Sequence, residues 1–252
     1  MSYVNSRLLV FSALLLAAAG TLLASDRVPV LLELFTSEGC SSCPPADQLL
    51  ETLDRTQPVA NVELVVLSEH VDYWDGLGWK DPYSSAAITE RQRDYGRKFH
   101  LDGVYTPQLV VDGRFELVGS RGGDVKSAIE KAAHDGKTSV SISQAERQGN
   151  QIHFRLDVAA LPSSAGSDAV FVALAESHAE SKVLRGENSG RVLSHVASVR
   201  SLAAVGSLKA GNSFANEISL PVPQGAGRDL RIVAFVQDKA TGRVFGTTRK
   251  EI

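Results

Sequence analysis

The chain of 252 residues carries a formal net charge of −3, with 22% charged and 43% hydrophobic residues. That length suits two domains of ordinary size, and the apolar content suits packed cores. So slight a net charge creates no field that would select nucleic acid or an anionic membrane, and neither is expected as a partner.

The N-terminal segment 1–24 reads as an export signal. Arg7 supplies a positive start, residues 8–19 form an apolar run too short to span a bilayer comfortably, and small residues follow at Ala18, Ala19, Gly20, Ala24 and Ser25. The expectation is a periplasmic or secreted protein with no stable membrane insertion once the signal is removed.

Residues 27–136 alternate between strand-like and helix-like stretches. Residues 28–35 are a nearly continuous apolar run, as in a strand covered on both faces. A helix follows over 44–54, with Pro44 and Pro45 in its first turn, where missing N–H groups cost little, and Ala46, Leu49, Leu50 and Leu53 on one side. A second buried strand is expected over 62–67, a polar and aromatic loop over 68–80, and a helix from Asp81-Pro82 to about residue 98. Two short strands at 109–111 and 115–118 are joined through Asp112-Gly113, and a helix over 124–133 closes the segment. This β-α-β-α-β-β-α order predicts an α/β thioredoxin-like domain.

Over 138–252 the period becomes two. Ile152, Phe154, Leu156 and Val158, then Val170 and Val172, then Leu230, Ile232 and Ala234 alternate with other residues between turn clusters. A separate β-rich, sandwich-like domain is expected.

The chain has two cysteines, in Gly39-Cys40-Ser41-Ser42-Cys43-Pro44. A Cys-x-x-Cys opening a helix places its first sulfur at the positive end of the helix dipole, which brings a thiol pKa from about 8.5 into roughly the 3.5–7.5 range. Cys40 then serves as nucleophile and Cys43 as resolving thiol. The bland rivals are a structural disulfide and a copper(I) or zinc site; a structural zinc site needs four ligands, and no second cysteine pair exists. No cofactor and no metal is expected. Thr106-Pro107, just before the third strand, is placed as a cis-proline loop facing the pair. The loop at residues 69–75, with His70, Tyr73 and Trp74, forms a candidate wall of a substrate groove, or else packs as an ordered insertion.

Three stretches, Leu32 through Asp47 with its FTSEGCSSCPPAD core, His70-Val71-Asp72-Tyr73-Trp74-Asp75 with Gly78-Trp79-Lys80-Asp81-Pro82, and Tyr105-Thr106-Pro107-Gln108, resemble a family of secreted bacterial thioredoxin-like proteins of unknown function. The likeness extends into Arg185-Gly186-Glu187-Asn188 and Gly190 to His195. The resemblance implies a thioredoxin fold, export and a redox role, and brings no known substrate. Well-studied thioredoxins carry a buried acid on the first strand six residues before the first cysteine. Leu34 occupies that position here; Glu33 is the candidate proton relay, although strand alternation points it to the other face. From 185–195, an arginine pairing across the two segments and His195 tuning the sulfurs are weighed against a solvated loop.

The leading expectation is an exported thiol-disulfide oxidoreductase-like protein that exchanges with protein thiol or disulfide clients and a redox partner of unknown identity. The alternatives are an envelope binding protein with a structural disulfide and a copper(I)-handling protein.

Overall fold

A computed structural model describes residues 27–252. The signal-peptide reading of 1–24 lies outside the described residues. Among those residues, no helix is long and apolar enough to cross a membrane.

The first segment is built around β1 (Val28–Thr36), buried from Val30 onward. β1 pairs in parallel with β2 (Val62–His70) through the crossover α1 (Pro44–Thr56), which buries Ala46, Leu50 and Leu53. After α2 (Ala86–Lys98) the chain returns antiparallel to β1 as β3 (Gln108–Val111), turns through Asp112 and Gly113 into β4 (Phe115–Val118), and enters α3 (Gly122–Ala133). Asp112 and Gly113 both have positive φ, as the tight connection requires. α2 starts later than the Asp81-Pro82 pair suggested, with Ser85 as N-cap. Asp81 is instead buried and spent on a turn, where its carboxylate accepts from the N–H groups of Glu38 and Tyr83.

The second segment supplies β5 (Val140–Gln148), β6 (Gln151–Val158), β7 (Ser167–Lys182), β8 (Val192–Lys209), β9 (Phe214–Pro221), β10 (Leu230–Asp238) and β11 (Val244–Glu251). β5, β6 and β9 make a three-stranded sheet. The other four extend the sheet of the first segment, giving eight strands in the order β11-β10-β7-β8-β2-β1-β3-β4. The seam is a parallel pairing of Ser68 on β2 with Ser198 on β8.

That continuity corrects the expected α/β thioredoxin-like domain followed by a sandwich-like domain. The protein is a mixed, sheet-dominated fold whose large sheet is shared by both segments. The physical reason is that β2 does not present a free edge; β8 covers it. The core follows the sheet: one apolar cluster joins Leu32, Leu67 and Ile129 of the first segment to Ala173, Val196, Val233 and Phe235 of the second. A second cluster fills the space between the three-stranded sheet and the β7 and β10 part of the large one, around Phe154, Leu156, Leu174 and Ile232. Buried charge ties the segments as well. Asp54 near the end of α1 accepts from Arg231 Nη1 at 3.1 and 3.0 Å and from Arg249 Nη1 at 2.5 Å.

Candidate functional site

Cys40 and Cys43 form a disulfide between the end of β1 and the start of α1. The loop turns tightly because Cys40 N–H donates to Ser37 O and Cys43 N–H to Cys40 O. Cys43 stands at the N-cap of α1 with prolines in the first helical positions, so no backbone donor is wasted there. Ser41 and Ser42 are exposed, yet both cysteines are 0% exposed.

Much of that cover comes from the connection between β7 and β8. Asn188, fully buried, donates Nδ2 to Glu38 O and to Cys40 O, each at 2.9 Å. Its own Oδ1 accepts from Arg191 Nη1 at 2.8 Å, which fixes the amide orientation. Glu187 Oε2 accepts from the Ser41 N–H at 3.0 Å. Gly186, at positive φ, lies so close to Trp79 that an added Cβ would come within 3.2 Å of the tryptophan Cβ. The tip of a long hairpin is thus latched onto the main chain of the cysteine loop.

The aromatic loop holds the opposite side. Trp74 packs on Gly39, where an added Cβ would stand 3.1 Å from Trp74 Cβ, and its indole N–H donates to Thr106 Oγ1 at 2.9 Å. Trp74 therefore links the cysteine loop to the Thr106-Pro107 loop, whose peptide is cis. Tyr73, 37% exposed, donates its hydroxyl to Gln92 Oε1. Trp79 donates its indole N–H to Glu38 Oε2 at 2.7 Å.

Behind the loop, Glu38, Asp47, His70, Asp81 and His195 are all buried. His70 Nδ1 lies 2.7 Å from Asp81 Oδ2, and its Nε2 is 3.2 Å from Ser68 Oγ. The His195 ring stands edge-on to His70 with centroids 4.7 Å apart, and its Nε2 is 3.3 Å from Glu38 Oε1. Burial alone would lower the His70 pKa, but Asp81, with Asp47 and Glu38 farther away, more than reverses this and raises it. Burial acts against ionisation of Asp81 too, and there the attraction of His70 and hydrogen bonds from main-chain amides win, leaving its pKa lowered. Asp47 goes the other way: burial raises its pKa despite His195 and His70.

Glu33 lies outside this chamber. It faces α2, accepting from Arg91 through Nε at 2.7 Å and through Nη2, and from the Tyr95 hydroxyl at 2.5 Å. The adjacent Leu34 points the other way, toward Gly119 and the Ala46 side of α1. Glu69 is buried beside Glu33, and burial together with Glu33 pushes its carboxyl well above the ordinary range. Among the described residues no group of three or more His, Cys, Asp or Glu is arranged to hold a metal ion.

Over residues 31–237 the sequence matches the family described as a protein of unknown function, DUF1223. The chain belongs to the DUF1223 family. A crystal structure of a protein from Agrobacterium tumefaciens is 29% identical to it, with a TM-score of 0.65 over 87% of this chain and 92% of that one. The sporulation control protein Spo0M of Bacillus subtilis aligns at 12% identity and a TM-score of 0.30, covering 46% of this chain and 47% of that one, too slight a likeness to carry an argument. No curated protein matches the chain at a significant level.

Of the site residues singled out from the sequence of this DUF1223 protein, Cys40, Cys43, Thr106, Trp74 and His70 converge on one end of the large sheet, whereas Glu33 does not join them. Asn188, Glu187, Glu38, Asp47 and Asp81 do join them, and their sequence signal is faint. Asp47 is one helical turn beyond Cys43, and an acid so placed at a helix start usually reads as a favourable dipole contact. Asn188 and Glu187 sit in a glycine-containing stretch that reads as solvated loop.

Proposed function

We propose that this DUF1223 protein carries out thiol-disulfide exchange with protein clients at the Cys40–Cys43 pair, in the periplasm or outside the cell. The observation that carries the reading is the position of the pair at the N-terminus of α1, with Cys43 at the cap. The positive end of the helix dipole favours a thiolate there. Reduction proceeds when a client thiolate attacks Cys40, the Cys40–Cys43 bond breaks and Cys43 leaves as a thiolate; the mixed disulfide is then resolved by the client's second thiol, which leaves the client oxidised. The reverse sequence, in which the Cys40 thiolate attacks a client disulfide and Cys43 resolves the mixed disulfide, reduces the client and restores the Cys40–Cys43 bond. The export signal read at 1–24 supports the compartment, which favours disulfides.

A second reading has one observation in its favour. Both cysteines are 0% exposed, as in a binding protein whose disulfide is structural. Under the exchange reading the hairpin tip at Glu187 and Asn188 must lift for a client to reach Cys40.

Equilibrating the folded protein with glutathione or dithiothreitol buffers and trapping free thiols separates the two. A potential between about −120 and −270 mV supports exchange, and one below about −300 mV marks a resistant structural disulfide.

A further inference from the structure

We infer that Asp47 takes and returns the proton of Cys43 during exchange, an inference that rests on the exchange reading above. Asp47 N–H donates to Cys43 O at 3.2 Å, so the carboxylate rises from the same helix one turn beyond the resolving thiol. It is 5% exposed, and its Oδ1 is buried with no hydrogen-bond partner. A buried acceptor left unpaired costs stability, so an unpaired carboxylate oxygen on this helix calls for a use.

A proton also needs a way out. A surface cleft of ≈ 240 Å³ between α1 and the start of β8 is lined by Pro44, Asp47, Gln48, Glu51, Leu193 and Ser194, and it joins the carboxylate to solvent without opening the cap over Cys40. The charged and titratable groups around Asp47 are His195 on β8, His70 on β2, Asp81 on the aromatic loop and Glu51 at the cleft mouth, with Glu38 against His195. Burial raises the Asp47 pKa, and the two imidazoles oppose that. Glu33 is committed to Arg91 and Tyr95 on the far face and leaves the task open.

In the reductive direction the Cys40–Cys43 bond breaks, Cys43 leaves as thiolate, and the Asp47 carboxylic acid gives it a proton. In the oxidative direction the Asp47 carboxylate takes the Cys43 proton as that sulfur attacks the mixed disulfide at Cys40 and the client thiolate leaves.

The test mixes the fully reduced protein with oxidised glutathione and follows the adduct by acid quench and mass spectrometry, for wild type, Asp47→Asn and Asp47→Glu. Adduct formation reports attack by Cys40, and adduct decay reports resolution by Cys43. In Asp47→Asn at pH 6–7 decay should slow by about 10²-fold, the scale of general acid-base catalysis, while formation stays within about twofold. Asp47→Glu should recover most of the loss, and the deficit should shrink towards pH 9, where Cys43 ionises unaided. Unchanged decay, or equal slowing of both steps, overturns the inference. If the variants do not fold, the wild-type pH profile decides: a carboxyl ionisation below that of the thiol supports Asp47, and a single thiol ionisation overturns it. A wild type that forms no adduct brings down the exchange reading and Asp47 with it; a competent wild type with an unaffected Asp47→Asn brings down Asp47 alone.

Discussion

The Nδ2 of Asn188 lies 2.9 Å from the carbonyl oxygen of Cys40, 148 residues earlier in the chain. One side-chain amide therefore fastens a hairpin of the second segment over a disulfide of the first. Asn188→Ala removes this bond and its companion to Glu38, leaving the Glu38 carbonyl unpaired and that of Cys40 with the Cys43 N–H alone, a loss of about 1–3 kcal/mol. The disulfide of the variant should be reduced by dithiothreitol at least tenfold faster than that of wild type, measured by thiol trapping in the folded protein. Equal rates would show that the tip does not govern access.

The disulfide closes a loop of sequence separation 3, too short for much chain entropy. The loop-closure relation gives about 2 kcal/mol, so the Cys40→Ser/Cys43→Ser double variant should remain folded at 25 °C with a melting temperature lower by a few degrees. Differential scanning calorimetry checks this. Global unfolding would mean that the pair is the staple of the fold.

Asp54 is the acid shared by Arg231 and Arg249, and Arg231 has a side chain only 4% exposed. Asp54→Ala removes the buried partner of that guanidinium, leaving it only the exposed Glu251 at 3.1 Å, and should cost about 3 kcal/mol in urea unfolding. The chain's two tryptophans both lie in the first segment, whereas most strand residues lie in the second. Because the sheet is continuous, tryptophan fluorescence and far-ultraviolet circular dichroism should give coincident urea transitions. Residues 27–136 expressed alone should fail to give such a transition, since Ser68 would then lie on an uncovered strand.

Burial pushes the Asp112 carboxyl up to about 6, although Lys137 pairs with it and Leu31 N–H donates to it. A folded pKa above the unfolded value means that the native state binds the proton more tightly. Its favourable contribution is complete below about pH 4 and is lost as pH rises through about 6. The melting temperature of wild type relative to Asp112→Asn should therefore fall between pH 4 and pH 6 and level off above. A difference that stays flat across that range would show that Asp112 keeps an ordinary pKa.

Strands β1 and β2 were legible because both are buried on two faces and so read as unbroken apolar runs, and α1 because its prolines and Leu50 and Leu53 mark a start and a stripe. β8 was not. It carries Ala197 at positive φ, a shifted register against β7 and many small residues, so its alternation is blurred. Missing β8 hid the seam at Ser198 and made one sheet look like two domains. The same omission hid the chamber, since His195 is on β8 and Asn188 lies just before it. Glu38 and Asp47 look in sequence like ordinary acids near a turn and a helix start; only the approach of His195 and the Asn188 latch reveals where they lie.

The long hairpin has a bearing on how the molecule is made. A chain that emerges N-terminus first presents Cys40 and Cys43 well before Glu187, Asn188 and His195 exist to cover them. During that interval the sulfurs are open to whatever oxidants and thiols surround the nascent chain, and docking of the β7–β8 tip brings the interval to a close. The order of synthesis thus gives the pair an early, unguarded phase and a late, sheltered one.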